Sequence, residues 1–319
     1  MRRIAITGSS GYVGGCLLRH LREQYPDADI LGLDVVAPRD PAGHEFLKLD
    51  MRDADFADAL RKFAPDTLIH MAFVVPPMHN EARMHDINIR GSRNVLDAAA
   101  DIRPERLMIC SSATALGARP DNPVPMDDRR PIRADVRFRY AADKVELETI
   151  TAAYAAAHPE SRVSWVRPCV VAGPHCDNYL SRLLLECPIV ARLDGFDSPL
   201  QLVHEDDVSA ACRVILERGG TGPFNICPVD ALPLSAIAER TKRRQVSVSL
   251  RLAKFLAGLG WWSFFPLHEY PPNFLDFVRY PWVAAPNRLR DEFGFAFQHS
   301  TDSTLDVMVA LEQARRRNQ

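Results

Sequence analysis

Apolar residues first gather in a short run, Ile4 to Ile6, which gives way to glycine and then to VGGCLLRHLREQ, where apolar positions recur every three or four residues. A short apolar run bounded by glycine reads as a buried strand, and recurrence near 3.6 residues reads as a helix. The alternation continues along the chain. Strands are expected near 3–7, 29–34, 45–49, 66–71, 106–111 and 162–166, and helices near 12–25, 54–63, 81–100 and 138–157. Parallel strands need crossover connections, and helical crossovers cover both faces of the sheet. The pattern therefore predicts an α/β chain built on a doubly wound parallel sheet.

In such sheets ligands lie across the carboxyl ends of the strands. Gly8, Asp34, Asp50, Ala72, Ser111 and Pro168 all fall at or just after those expected ends. The first turn carries Gly8, Gly11 and Gly14, spaced G-x-x-G-x-x-G, one residue longer than the G-x-G-x-x-G of the Rossmann fingerprint. Glycine permits positive φ and a close backbone approach, and helix N-terminal amides meet the charge of a pyrophosphate. Asp34 ends the next strand twenty residues after Gly14. A carboxylate there accepts hydrogen bonds from ribose hydroxyls and repels a 2′-phosphate, which favours NAD over NADP. Arg39, a few residues on, works against that preference.

Tyr140 and Lys144 stand four apart in FRYAADKVELE, so on a helix they share one face. An ammonium beside a phenol favours the phenolate and moves its pKa from near ~10 toward values useful for proton transfer. Alone, Y-x-x-x-K also describes an ordinary surface helix.

Together with its neighbours the pair resembles the extended short-chain dehydrogenases/reductases, the NAD-dependent epimerase/dehydratase family. TGSSGYVG resembles the family's T-G-x-x-G-x-x-G, LDMRD (49–53) its adenine-side segment, and LIHMAF (68–73) its fourth strand with an H-x-A ending. NIRGSRNVLDAA (88–99), CSSATALG (110–117), VRPCVVAGP (166–174) and LVHEDDVSAA (202–211) follow in the family's order, so the resemblance covers about residues 1–230. It implies a Rossmann-type domain of 1–171 plus 201–227 and a smaller C-terminal α/β substrate lobe of 172–200 plus 228–319. It also implies roles. Ser112 would hydrogen-bond the substrate oxygen, Tyr140 would exchange its proton, and Lys144 would depress the phenol's pKa and hold the nicotinamide ribose. The cofactor would further touch Gly8, Gly11, Tyr12, Val13 and Gly14 in the first turn, and Asp34 and Val35 after the second strand. Beyond these come Asp50 and Met51, then Met71, Ala72 and Phe73, then Asn88, Ser111, Pro168, Val170 and Val171. A homodimer through the helices at 81–100 and 138–157 is implied as well, although their apolar positions could equally serve the sheet.

Departures from the family pattern narrow the reaction. Ala113 and Thr114 stand where 4,6-dehydratases usually carry Asp-Glu, and neither is a strong acid or base. Leu116 replaces the family's tyrosine and Leu200 stands near where many epimerases place a diphosphate-gripping arginine, although Arg182, Arg192 or Arg251 are other sources of charge. The expected activity is NAD-dependent hydride transfer at a secondary alcohol or ketone of a fairly apolar substrate. A nucleotide-sugar epimerase with tightly held NAD and a non-catalytic NAD-sensing protein are the alternatives.

Residues 250–286 are unusually apolar, with Trp261, Trp262 and Trp282, and read as packed core of the lobe or as a lid for a lipidic or aromatic substrate that also touches a membrane surface. The run Phe255 to Phe265 is well short of the ~20 residues that cross a bilayer. Net charge −2 and pI ≈ 6.6 leave no footprint for nucleic acid. Lys242-Arg243-Arg244 is expected on the solvated face of a helix following PLSAIAER. Seven scattered cysteines without C-x-x-C fit a reducing cytoplasm, and the chain begins almost in its first strand, with no room for a signal peptide. His175-Cys176-Asp177 on a loop is a poor metal site, and no metal is expected.

Overall fold

The computed structural model describes residues 1–38, 43–176, 185, 187, 189–263 and 270–317. Arg39, Asp177 and Arg182 lie outside the described residues. Six strands of the central sheet come from the first 168 residues: β1 (Arg3–Thr7), β2 (Asp29–Asp34), β3 (Glu45–Lys48), β4 (Thr67–His70), β5 (Arg106–Cys110) and β6 (Arg162–Pro168). The seventh, Gly222–Ile226, arrives much later and pairs on the outside of β6. All pairings are parallel, in the order Gly222–Ile226, β6, β5, β4, β1, β2, β3.

Both faces are covered, which is why β1 and β4 read as continuous apolar runs. Alternate residues of β1 serve opposite faces. Ile4 and Ile6 pack with Leu17 and Leu21 of α1 (Tyr12–Gln24) and with Val208, Cys212 and Ile215 of the helix Glu205–Arg218. Ala5 packs on the other face with Phe56 and Leu60 of α2 (Phe56–Phe63), and with side chains of the helices Gly91–Ile102 and Arg139–Ala157. The 81–100 stretch forms α3 (Glu81–His85), a π-turn over Asp86–Arg90 and α4 (Gly91–Ile102). α5 (Arg139–Ala157) matches the expected 138–157 helix closely.

The chain leaves β1 toward β2 and β3 and then returns to the other side for β4, so the order reverses between β1 and β4. That reversal opens the crevice at the strands' carboxyl ends. Gly8 sits at its floor with φ +70°, and a Cβ there would lie 2.5 Å from the Ala72 nitrogen. A Cβ on Gly14 would lie 2.1 Å from the Gly8 carbonyl oxygen. Both glycines are thus required by the turn itself.

The smaller lobe is assembled from short pairings between distant segments. Ile189–Leu193 runs parallel to Arg244–Val248, and Pro199–Leu200 pairs with Leu232–Pro233. Its helices are Leu234–Arg240, Leu250–Trp262 and Leu275–Arg279. Lys242-Arg243-Arg244 is not on a helix. The preceding helix ends at Arg240, Lys242 turns the chain with φ +55°, and Arg244 opens a strand. Asn287–Phe293 and Thr301–Arg317 follow as the last two described helices.

Candidate active site

Tyr140, Lys144 and Glu148 lie at four-residue steps on the buried face of α5. The innermost is a structural anchor. Both Glu148 carboxylate oxygens are taken, one by the Ser111 hydroxyl at 2.6 Å and Arg167 Nε at 2.8 Å, the other by Arg167 Nη2 at 2.6 Å and Trp165 Nε1 at 3.0 Å. Arg167 donates further to the Asp128 carbonyl at 2.8 Å. A buried ion pair this fully hydrogen-bonded fixes α5 against β5 and β6. It commits the Ser111 side chain to the scaffold. The sequence offered a signal for it, since Glu148 is one helical step beyond Lys144 and Arg167 lies in the R-P segment.

Ser112 follows in extended conformation and caps the short 3-10 turn Ala113–Leu116, its Oγ accepting from the Thr114 amide at 3.2 Å. The Ser112 and Thr114 side chains lean on the Tyr140 phenol and favour its ionised form, but burial dominates and pushes the phenol well above the usual tyrosine value. Burial thus outweighs any lowering, and Lys144, expected to depress the phenol, is not among the groups that lower it. Lys144 shares the face but spends its ammonium elsewhere, donating to the Cys110 carbonyl at 2.7 Å and lying 3.4 Å from the Phe73 ring centre, against 5.8 Å for the Tyr140 ring. Burial lowers Lys144 itself to about 8. His70, also buried and near that ammonium, falls to about 3 and is held neutral between Thr7 Oγ1 at 2.7 Å and Ser92 Oγ at 2.9 Å.

These groups open onto a cavity of about 680 Å³. From the first turn Gly8, Gly11, Tyr12, Val13 and Gly14 line it. Met71 and Phe73 follow β4, Ser111 and Ser112 follow β5, and Tyr140 and Lys144 project from α5. Pro168, Val170 and Val171 close that half from the end of β6 onward. The other half is lined by the lobe: Leu200, Leu234, Ile237, Tyr270, Phe274 and Trp282 are among its walls. The apolar 250–286 segment is accordingly neither wholly core nor wholly lid.

Six expected cofactor residues do not line this cavity among the described residues. Asp34 stands beside the glycine turn, its carboxylate accepting the amides of Ser10 at 3.0 Å and Val36 at 3.1 Å, and Val35 is exposed next to it. Asp50 is bound by Arg52, and Met51 is buried under Gly91. Ala72 backs the Gly8 turn. Asn88 is wholly buried in the π-turn, where its side chain takes the Val74 amide at 2.7 Å and donates to the Val74 carbonyl at 3.3 Å and to Asp143 at 3.2 Å. Asn88 therefore holds the 71–76 loop in place. Sequence reasoning missed the buried Glu205, which accepts the Tyr12 hydroxyl at 2.6 Å and the His175 amide. The V-H-E-D-D segment flagged its position but not its partner.

The crevice fits a dinucleotide. Gly11 begins α1 with no side-chain cap and no acid in the first turn, leaving the helix start favourable to an anion. A Cβ on Gly11 would meet only the Gly8 carbonyl oxygen, at 3.2 Å, and would otherwise project into open space. A bare backbone there is what close approach of a pyrophosphate needs.

The NAD dependent epimerase/dehydratase family model matches residues 4–227. An uncharacterised protein of Mycobacterium tuberculosis is 26% identical, covering 95% of this chain and 82% of its own. A UDP-glucose 4-epimerase of Mycoplasma pneumoniae is 27% identical over 39% of each chain. Among solved structures, the Thermus thermophilus UDP-glucose 4-epimerase in complex with NAD has a TM-score of 0.77 at 20% identity, covering 98% of this chain and 99% of that one. The Bordetella bronchiseptica enzyme WbmG in complex with NAD and UDP has 0.74 at 21%, covering 98% and 94%. With the glycine turn, the reversed sheet order and the family match over most of its length, the chain belongs to the NAD-dependent epimerase/dehydratase family of enzymes.

Proposed function

We propose that this enzyme transfers hydride between NAD and a secondary alcohol or ketone of a fairly apolar substrate, with Ser112, Tyr140 and Lys144 as its working groups. One observation carries the choice of substrate: among the described residues, Lys144 is the single charged side chain lining the cavity. A nucleotide sugar brings a second diphosphate, which binds well only against cationic forks. Leu200, where an arginine was sought, forms part of an apolar wall instead.

NAD, held along Gly8 to Gly14 and selected over NADP by Asp34, would supply a hydride acceptor or donor. The chain's own groups do the rest. Ser112 orients the substrate oxygen, and Tyr140, kept protonated by its burial, is ready to hand a proton to a carbonyl. The Lys144 ammonium, fixed by the Cys110 carbonyl, stabilises negative charge that passes to the phenol oxygen. Apolar walls exclude water from the transfer. A homodimer and a cytoplasmic location belong to the same reading. The scattered cysteines, with no C-x-x-C among them, fit a reducing compartment.

The names of the relatives support a second reading, epimerisation of a nucleotide sugar. Cofactor exchange separates the two. Protein that purifies with NAD bound and interconverts UDP-sugars without net change in nicotinamide absorbance would replace the first reading with the second. Reduction of hydrophobic ketones by added NADH supports the first.

A further inference from the structure

The helix Leu250–Trp262 wears its apolar residues on the outside. Ala257 and Trp261 face inward, whereas Leu252, Phe255, Leu256, Leu259 and Trp262 are 50 to 74% exposed. Their spacing puts them in one stripe along the helix. The helix is capped in the ordinary way, with Ser249 Oγ accepting the Leu252 amide at 3.2 Å, so the stripe is a finished surface of a well-formed element. Exposed apolar surface of this kind marks a place of contact.

Charge identifies what the contact is. From 241 to 263 the chain holds five basic residues, Lys242, Arg243, Arg244, Arg251 and Lys254, and no acidic one. Lys254 is paired with Asp276 at 2.8 Å, and Lys242, Arg244 and Arg251 are exposed. Arg251 flanks the stripe on the helix itself, so a two-fold contact between copies through this face would set like charges against each other, because an isologous interface presents the same patch twice. An anionic lipid surface neutralises them instead and receives the apolar stripe. Thirteen residues make a helix of about 20 Å, too short to span, and no described helix is long and apolar enough to cross a membrane. The geometry is that of a helix lying in the interface.

The helix is also one residue layer from the cavity. Its inward Ala257 packs with Leu275, Tyr270 and Val278, all three of which line the cavity on their other side. Trp261 stacks on His79 with ring centres 3.9 Å apart, tying the helix to the segment that follows the cavity-lining residues 73–76.

We propose that the helix Leu250–Trp262 seats its outward face in the interfacial layer of an anionic bilayer and brings the apolar half of the cavity to the membrane, from which the substrate enters. The entry of substrate rests on the function proposed above; the docking itself does not.

The test is sedimentation of the full-length protein with vesicles of phosphatidylcholine, alone or mixed with phosphatidylglycerol. Wild type should sediment with the mixed vesicles, weakly or not at all with phosphatidylcholine alone, and lose binding as salt screens the basic residues. Phe255→Glu combined with Leu259→Glu should reduce vesicle partitioning by about tenfold or more, with NAD binding and melting temperature unchanged to show that the fold survives. Arg251→Glu with Lys242→Glu should remove the preference for phosphatidylglycerol. Wild type that stays in the supernatant with both vesicle types overturns the docking. So does a wild-type dimer that the Phe255/Leu259 double variant converts to monomer without any vesicle binding, which makes the face a contact between copies. Vesicle binding by a protein that acts only on UDP-sugars would keep the docking and discard the apolar-substrate reading.

Discussion

Tyr140 and Lys144 show how a pair readable from spacing acquires its chemistry from surroundings that spacing does not reveal. The sequence placed them on one face; only the fold shows that the ammonium is turned to Cys110 and Phe73 and that burial holds the phenol protonated. Replacing Tyr140 with phenylalanine should lower kcat about 10²- to 10⁴-fold while the affinity for NAD, measured by fluorescence titration, stays the same. Lys144 offers a second test. Its pKa is lowered from 10.5 to about 8, so below about pH 8 the folded protein carries a charge that burial penalises. Between those values the unfolded chain binds more protons than the folded one, and stability rises with pH across the window. Denaturant melts of wild type and Lys144→Met should show wild type gaining on the variant from about pH 8 to 10.5; a gap that stays constant would contradict the burial of that ammonium.

Elements were legible in proportion to how strongly burial patterned them. β1 and β4 are covered on both sides and announced themselves as apolar runs, and α1 and α5 began and ended within a residue of expectation. The lobe was harder because its strands are two to five residues long and pair across distant segments, as in Pro199–Leu200 with Leu232–Pro233. A basic run likewise says nothing of where a helix stops, and it took the left-handed turn at Lys242 to place Arg244 on a strand. The sequence marked Glu148 and Arg167 separately but not their pairing, because one stands on α5 and the other on β6. Glu148→Gln leaves the Arg167 guanidinium buried without its counter-charge and should cost about 3–5 kcal/mol of stability by urea unfolding. Gly14→Ala drives a Cβ to 2.1 Å from the Gly8 carbonyl oxygen and should weaken both folding and NAD binding, seen as a lower melting temperature and a raised dissociation constant.

At the scale of the whole molecule, the sheet places its carboxyl ends on one side of a cavity and the lobe supplies an apolar wall on the other. α4 and α5 bury Leu96, Leu147 and Tyr154 within their own chain, while Ile102 and Ile150 on these helices and Ile87 in the π-turn are only partly buried and are the material for a partner helix pair. Light scattering should return twice the chain mass if the homodimer implied by the resemblance forms there. The proposed apolar substrate rests on the cavity's composition, and it is what most needs testing. Purified wild type and Tyr140→Phe should be supplied with NADH and a hydrophobic ketone while nicotinamide absorbance is followed and, in separate reactions, with NAD and UDP-glucose while conversion to other sugar nucleotides is followed by chromatography. The account predicts steady loss of NADH with the ketone, no conversion of UDP-glucose, and ketone reduction slowed about a hundredfold or more in the variant. Turnover of UDP-glucose, or ketone reduction undiminished in Tyr140→Phe, would contradict it.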